Sequence, residues 1–372
     1  MQFRTGIVQK IRFYAKRFRE PSGTGAGLAD SVNPQSAAEE RNALAKQYVS
    51  NGGLPSDFSI TVGVAPCNYS CMFCPQSVSK PKKAVWLDLG LLEKCLTEMP
   101  EEGVQLNVSS FSETIAAHNL VPAIQLMKRV RPKLRVIMAT NGSLFREKVV
   151  EALIDAGVDH YSYSFDAPTR ERYKELIQVD NFDKAWQNLE RIVEMRNKKK
   201  SKMFISTHIM NFKGVEEDFG KFRSYWEGKV DSVKLRTVGN WGGDSELSLT
   251  PKLEAMGYVS AHETPQRRYP CLSIFTHFQL QPDGHYRACI GTTPDYASNP
   301  KYSLGHASDT TWAVAWARLG EMRRAHLEGR WDEIEACRNC NIWSLWKDAW
   351  QESPGDDKKL RQFRLEGVEY AK

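Results

Sequence analysis

Six β-patterned segments, 60–65, 104–109, 134–140, 158–165, 203–210 and 230–237, alternate with helical stretches at 89–99, 117–130, 146–156, 182–199 and 216–226. A helix between two strands returns the chain in the same direction, so this rhythm predicts a parallel sheet with helices packed outside it. The expected fold is α/β, a partial (β/α)6 barrel. After Trp241-Gly242-Gly243 the alternation stops, and from about 246 the chain is rich in Trp and turn residues. Three units are therefore expected: an extension over 1–55, the barrel over 56–245, and a small C-terminal domain over 246–372, made of a β-hairpin with helices. Within the extension, Ile7, Ile11, Tyr14 and Phe18 recur at helical spacing among basic residues, and PSGTGAG follows as a linker. That helix suits packing on the main body, a membrane surface, a partner, or a transit role.

The 372 residues carry 51 basic and 45 acidic side chains, a net +6 that is too mild to point to nucleic acid. No window approaches the apolar run that a membrane-spanning helix needs. The eight cysteines are more informative. They lie at 67, 71, 74, 95, 271, 289, 337 and 340, and no secretory signal opens the chain. In a chain with core enough to fold without staples, clustered cysteines read as metal ligands in a reducing compartment, most simply the cytoplasm.

The first cluster is Cys67-Asn-Tyr-Ser-Cys71-Met-Phe-Cys74, in the loop after the first strand. Three thiolates are soft ligands of the kind iron–sulfur clusters take, and they leave one iron of a 4Fe–4S cube open. A structural zinc site wants four ligands. The motif, its place after strand one and Phe73 before the last Cys resemble the radical S-adenosylmethionine (SAM) superfamily. The resemblance implies a cluster whose open iron chelates SAM, reductive cleavage to a 5′-deoxyadenosyl radical, and an electron donor such as flavodoxin or ferredoxin. It places Phe73 near the adenine, and Glu113 at the SAM amino group. The glycines that usually precede that Glu are replaced here by Ser109-Ser110-Phe111-Ser112. It also places Asn141, Ser164 and Asp166, at the ends of the third and fourth strands, against the SAM ribose or carboxylate.

Alternation within the strands predicts a polar barrel interior. Ser162, Ser164 and Asp166 form the inward set of one strand, and Phe204, Ser206, His208 and Met210 that of the next. On the last strand Lys234 and Arg236 face the lumen while Val233 and Leu235 face helices. Buried cations need anionic partners, so Lys234 and Arg236 are the expected catalytic and substrate-anchoring pair. His208 is the expected base. If the cations hold no substrate, Trp312, Trp316 and Trp343 offer another wall.

The second cysteine set is Cys271, Cys289, Cys337 and Cys340. A strand–turn–strand pattern around Gly284 brings the first two together, and a CxxC knuckle supplies the rest. Four thiolates could hold zinc. The spacing also resembles the auxiliary-cluster domains called SPASM and twitch, the short twitch form best. It implies a fully ligated auxiliary 4Fe–4S cluster, in the manner of butirosin-type aminocyclitol dehydrogenases. Cys95 falls on the apolar face of its helix, so no cysteine is left to return a hydrogen atom to substrate. Two functions stay in play. One is oxidation of a small polar carbinol (a sugar, nucleotide sugar or aminocyclitol), with the auxiliary cluster taking an electron. The other is crosslinking or desaturation of a ribosomal peptide.

Overall fold

The computed structural model describes residues 54–239, 250–259, 268–289, 291 and 302–344. The expected helix within the first 55 residues, the Asn240–Gly243 passage and the chain beyond 344 lie outside them. Six strands run parallel: β1 (Asp57–Val64), β3 (Gln105–Phe111), β4 (Arg135–Thr140), β5 (His160–Asp166), β6 (Phe204–Met210) and β7 (Ser232–Arg236). A two-residue β2 (Val85–Trp86) pairs antiparallel with β1. The sheet order is β7-β6-β5-β4-β3-β1-β8-β9, so among the described residues β7 is an edge strand.

Helices fill the crossovers: α1 (Leu89–Glu98), α2 (Leu120–Val130), α3 (Glu147–Asp155), α4 (Arg170–Ile177), α5 (Phe182–Lys198) and α6 (Glu216–Trp226). Their starts follow local chemistry. Asp88 accepts the Leu91 amide at 2.9 Å to cap α1, and the Thr169 hydroxyl caps α4. Buried Leu92, Cys95 and Leu96 on α1 are spaced i, i+3, i+4, and Cys95 is the core residue its spacing predicts. Helix α4 was not anticipated, because its Arg170-Glu-Arg-Tyr-Lys-Glu run shows little apolar periodicity.

Strand alternation divides the sheet into two chemically distinct faces. Ile60, Val108, Met138, Tyr161 and Ile205 meet the helices and are fully or almost fully buried. Each aliphatic side chain among them contributes about 1.5–3 kcal/mol of hydrophobic stabilisation. The opposite face carries Ser59 beside Asn107, Ser162 beside Ser206, and Ser164 beside His208. This is the polar interior that the alternation predicts.

The C-terminal region adds to the same sheet instead of building a separate one. Strand β8 (His277–Leu280) pairs parallel with β1, Phe58 opposite Phe278, and β9 (Tyr286–Arg287) closes an antiparallel hairpin on it. Gly284 makes the turn at φ +80°, where a Cβ would stand 2.2 Å from the His306 ring. Phe58, Phe278 and Trp312 pack together, with ring centroids 4.6 Å apart for Phe58–Phe278 and 5.2 Å for Phe278–Trp312. Trp312 and Trp316, on α9 (Trp312–Arg318), are thus buried core residues and not a substrate wall. Between β7 and β8 lie α7 (Thr250–Ala255) and α8 (Ser273–Thr276). After α9 come α10 (Gly320–Leu327) and α11 (Glu335–Arg338).

Candidate active site

The loop after β1 carries Cys67, Cys71 and Cys74, and hydrogen bonds fasten it on every side. Gln76, almost fully buried, accepts the Cys67 amide at 2.7 Å and donates to the carbonyls of Ala65 and Phe111 at 3.1 and 2.6 Å. Asn68 donates to the Ser143 hydroxyl at 2.8 Å. The Tyr69 hydroxyl meets that of Tyr173 on α4 at 2.8 Å, and the Met72 amide donates to Leu176 of the same helix. Lys80 donates to the Cys67 carbonyl at 3.0 Å.

One cavity of about 550 Å³ lies over the polar face of the sheet. Cys67, Cys71 and Cys74 line one part of it, and Cys271, Cys289, Cys337 and Cys340 line another. Its wall also includes the Ser59, Thr61 and Ser109 hydroxyls, the His277 ring and the Gln279 amide from β1, β3 and β8, together with apolar Phe111, Ile274, Ile342 and Trp343. Phe73, Asn141, Ser164 and Asp166 also border it.

Asn141 places its side-chain amide 3.6 Å from the Cys67 sulfur. The next residue, Gly142, sits at φ +72°, and a Cβ there would lie 2.1 Å from the Tyr163 hydroxyl, so the turn requires glycine. Asp166 is buried at φ +70°, a strained conformation for a residue with a side chain, at a register shift between β5 and β6. Its Oδ1 is 3.1 Å from His208 Nε2, within ion-pair range but too poorly angled for a hydrogen bond.

Four expected site residues stand elsewhere. Glu113 is buried beneath the rim, between Ser112 and Thr114, which do border the cavity. Its oxygens accept from the Thr140 hydroxyl, the Ile115 amide at 3.0 Å and the Asn141 amide at 2.8 Å, which ties the end of β3 to the end of β4. Burial raises its pKa against those hydrogen bonds. His208 is buried behind Asp166 and is not part of the cavity wall, and burial lowers its pKa. Lys234 and Arg236 do lie on the polar side, in register with His208 and Met210, but β7 is an edge strand and both are exposed. Neither borders the cavity, and Leu235 on the opposite side is 38% exposed rather than covered by a helix.

Residues that the sequence did not single out border the second cysteine set. Arg268 donates to the Arg338 carbonyl at 2.7 Å and to the Cys337 carbonyl, and lies over the Trp331 ring. His326 is buried, accepts the Cys271 amide at 3.2 Å, and has its pKa pushed down to about 4 by burial, with Arg268 adding to the effect. Only their common packing on α10 and α11 reveals them; no spacing pattern does.

Among the described residues no three His, Cys, Asp or Glu side chains are gathered tightly enough for one metal ion. A cluster gives each thiolate its own iron and so spreads its ligands wider than a single ion does. Burial raises the pKa of Cys67, of Cys71 strongly, and of Cys74 to about 11. Neutral thiols are what the protein alone favours there; a bound cationic centre would release their protons. Three soft donors on one braced loop at a cavity wall fit such a group.

Residues 65–222 match the Radical SAM superfamily model. The chain carries a radical SAM domain. It is 22% identical over 256 residues to a GTP 3′,8-cyclase of Chlorobaculum tepidum, covering 66% of this chain and 73% of the cyclase. It is 24% identical over 110 residues to an S-adenosyl-L-methionine-dependent 2-deoxy-scyllo-inosamine dehydrogenase of Niallia circulans, covering 29% of this chain and 44% of that protein. Several curated relatives are spanned over less than half their own length. The fold is similar to that of SuiB of Streptococcus suis bound to precursor peptide SuiA, with TM-score 0.55, 13% identity, and coverage of 91% of this chain and 82% of SuiB. Among the described residues no helix is long and apolar enough to cross a membrane.

Proposed function

We propose that this radical SAM enzyme oxidises a carbinol carbon of a small, hydroxyl-rich substrate held between two iron–sulfur clusters. The observation that carries the reading is the one cavity bordered by both cysteine sets, with the Ser59, Thr61 and Ser109 hydroxyls and the Gln279 amide also on its wall. Cys67, Cys71 and Cys74 would hold the cluster that binds SAM, and the four later cysteines the auxiliary one. When bound and reduced by a flavodoxin- or ferredoxin-type donor, the first cluster with SAM supplies a 5′-deoxyadenosyl radical. Phe73, Asn141 and Ser164, which border the same cavity as that loop, would meet SAM.

Oxidation of CH–OH to C=O removes two electrons and two protons. One electron and one proton would leave the carbon together as a hydrogen atom, yielding 5′-deoxyadenosine; the hydroxyl proton would go to a base; and a cluster held by Cys271, Cys289, Cys337 and Cys340 would supply the acceptor for the second electron. Asp166 is the carboxylate at the cavity wall, so it replaces His208 as the group of choice for holding that proton, with His208 supporting it from behind. A wall made mostly of uncharged groups suits a neutral polyol better than an anion. Arg268, the one guanidinium on it among the described residues, is engaged with main-chain carbonyls.

The test uses anaerobically reconstituted enzyme, SAM and a reductant with aminocyclitols and sugars deuterated at the carbinol carbon. Deuterium should appear in 5′-deoxyadenosine with equimolar ketone, and Asp166→Asn should lower ketone yield more than 5′-deoxyadenosine formation. Deuterium transfer only from a peptide would replace this reading with the peptide-modifying one.

A further inference from the structure

His326, on α10, borders the same cavity as Cys271, Cys289, Cys337 and Cys340, and it is 1% exposed. Two hydrogen-bonding facts fix the state of its ring. The Cys271 backbone N–H donates to Nδ1 at 3.2 Å, so Nδ1 carries a lone pair and the ring proton sits on Nε2. Nε2 is buried and has no hydrogen-bond partner among the described residues. A buried N–H without an acceptor is costly, so the ring calls for an acceptor that the described residues do not supply.

We infer that His326 donates its Nε2–H to a sulfur of the auxiliary cluster and so holds that cluster's reduction potential up. The inference rests on the reading of Cys271, Cys289, Cys337 and Cys340 as one cluster-binding set. Hydrogen bonds to sulfur stabilise the more negative, reduced state, and so favour acceptance of an electron from substrate. The ring is a poor candidate for a ligand. With Nδ1 already accepting from Cys271, coordination through Nε2 would require expelling the only ring proton and leaving an imidazolate. His326 is thus a positioning residue: one nitrogen orders the backbone of a ligand cysteine and the other faces the bound group.

The experiment uses the full chain with Cys67, Cys71 and Cys74 changed to Ala, so that any cluster observed is the second. After anaerobic iron and sulfide reconstitution, redox titration followed by electron paramagnetic resonance gives its potential. His326→Leu should keep the iron content and shift the potential to a more negative value, and His326→Gln, which retains an N–H, should recover part of the shift. Separately, heavy-nitrogen labelling of histidine in the unmutated protein should give a weak nitrogen coupling to the reduced second cluster, a readout independent of how the variants fold. An unchanged potential in an iron-replete Leu variant, or no nitrogen coupling, overturns the inference. No iron at all in the triple-Ala background with His326 intact refutes the four-cysteine reading instead.

Discussion

Asp166 and Lys234 mark the two limits of what single residues reveal. The inward position of Asp166 follows from alternation, and Ser164 beside it is found where the pattern puts it. The left-handed backbone at Asp166, which turns its carboxylate to the cavity wall and leaves His208 behind, depends on a register shift between β5 and β6 that the sequence does not announce. Lys234 and Arg236 obey the alternation too. Their exposure comes from the sheet being open at β7, a property of strand order and not of residue pattern. Glu113 is legible as a site position only through resemblance, and its hydrogen bonds give it a bracing role between β3 and β4. His160, on the same polar face, lends itself to a pH test. Burial, helped by the Arg135 charge, pushes its pKa down to about 4, while its Nε2 meets the Ser206 hydroxyl at 2.7 Å. A histidine whose folded pKa lies below its unfolded value near 6.5 favours the unfolded state progressively as pH falls through that window. Urea unfolding of the holoenzyme should therefore show stability declining from about pH 6.5 toward pH 4, and His160→Gln should flatten that decline by less than about 1.4 kcal/mol per pH unit. An identical slope in both proteins would mean that His160 does not titrate on unfolding.

Among the elements, the cysteine loop and the hairpin show opposite degrees of legibility. The strand and helix centres of the barrel follow from periodicity, and α6 was anticipated to the residue, because their apolar stripes are long. Helix α4 escaped notice since most of its surface is charged, yet it is what fastens the loop through Tyr173 and the Leu176 carbonyl. The hairpin of β8 and β9 was visible from its turn, but its parallel addition to β1 was not, because pairing between strands 220 residues apart leaves no local trace. Gln76 is the pivot of the loop, since one amide side chain satisfies three main-chain groups. Gln76→Ala leaves the Cys67 amide and the Ala65 carbonyl without that partner, at about 1–3 kcal/mol each if water does not replace it, while the Phe111 carbonyl keeps the Ala65 amide at 3.2 Å. The variant should lose iron from the first set during gel filtration while the second set keeps its own, and Gln76→Glu, which cannot donate to the two carbonyls, should fare little better. Full iron retention in Gln76→Ala, measured by metal analysis, would show that α4 and Ser143 hold the loop without it.

For the molecule as a whole, the addition of β8 and β9 to the barrel sheet is what matters. It extends one polar face from β6 across β1 to β8, and so carries the second cysteine set to the cavity that the first set borders. Sequence spacing could group the cysteines into three and four; only the sheet order brings the two groups to one cavity. The central claim is that this cavity houses two clusters, one to generate a radical and one to receive an electron. Mössbauer spectroscopy of anaerobically reconstituted protein, with iron and zinc quantified on the same sample, tests it directly. The account predicts about eight irons per chain in two 4Fe–4S clusters. Replacing Cys67, Cys71 and Cys74 with Ala should remove one cluster and SAM cleavage, and replacing Cys337 and Cys340 should remove the other. Stoichiometric zinc retained by the first variant, with no iron in the second cysteine set, would contradict the claim.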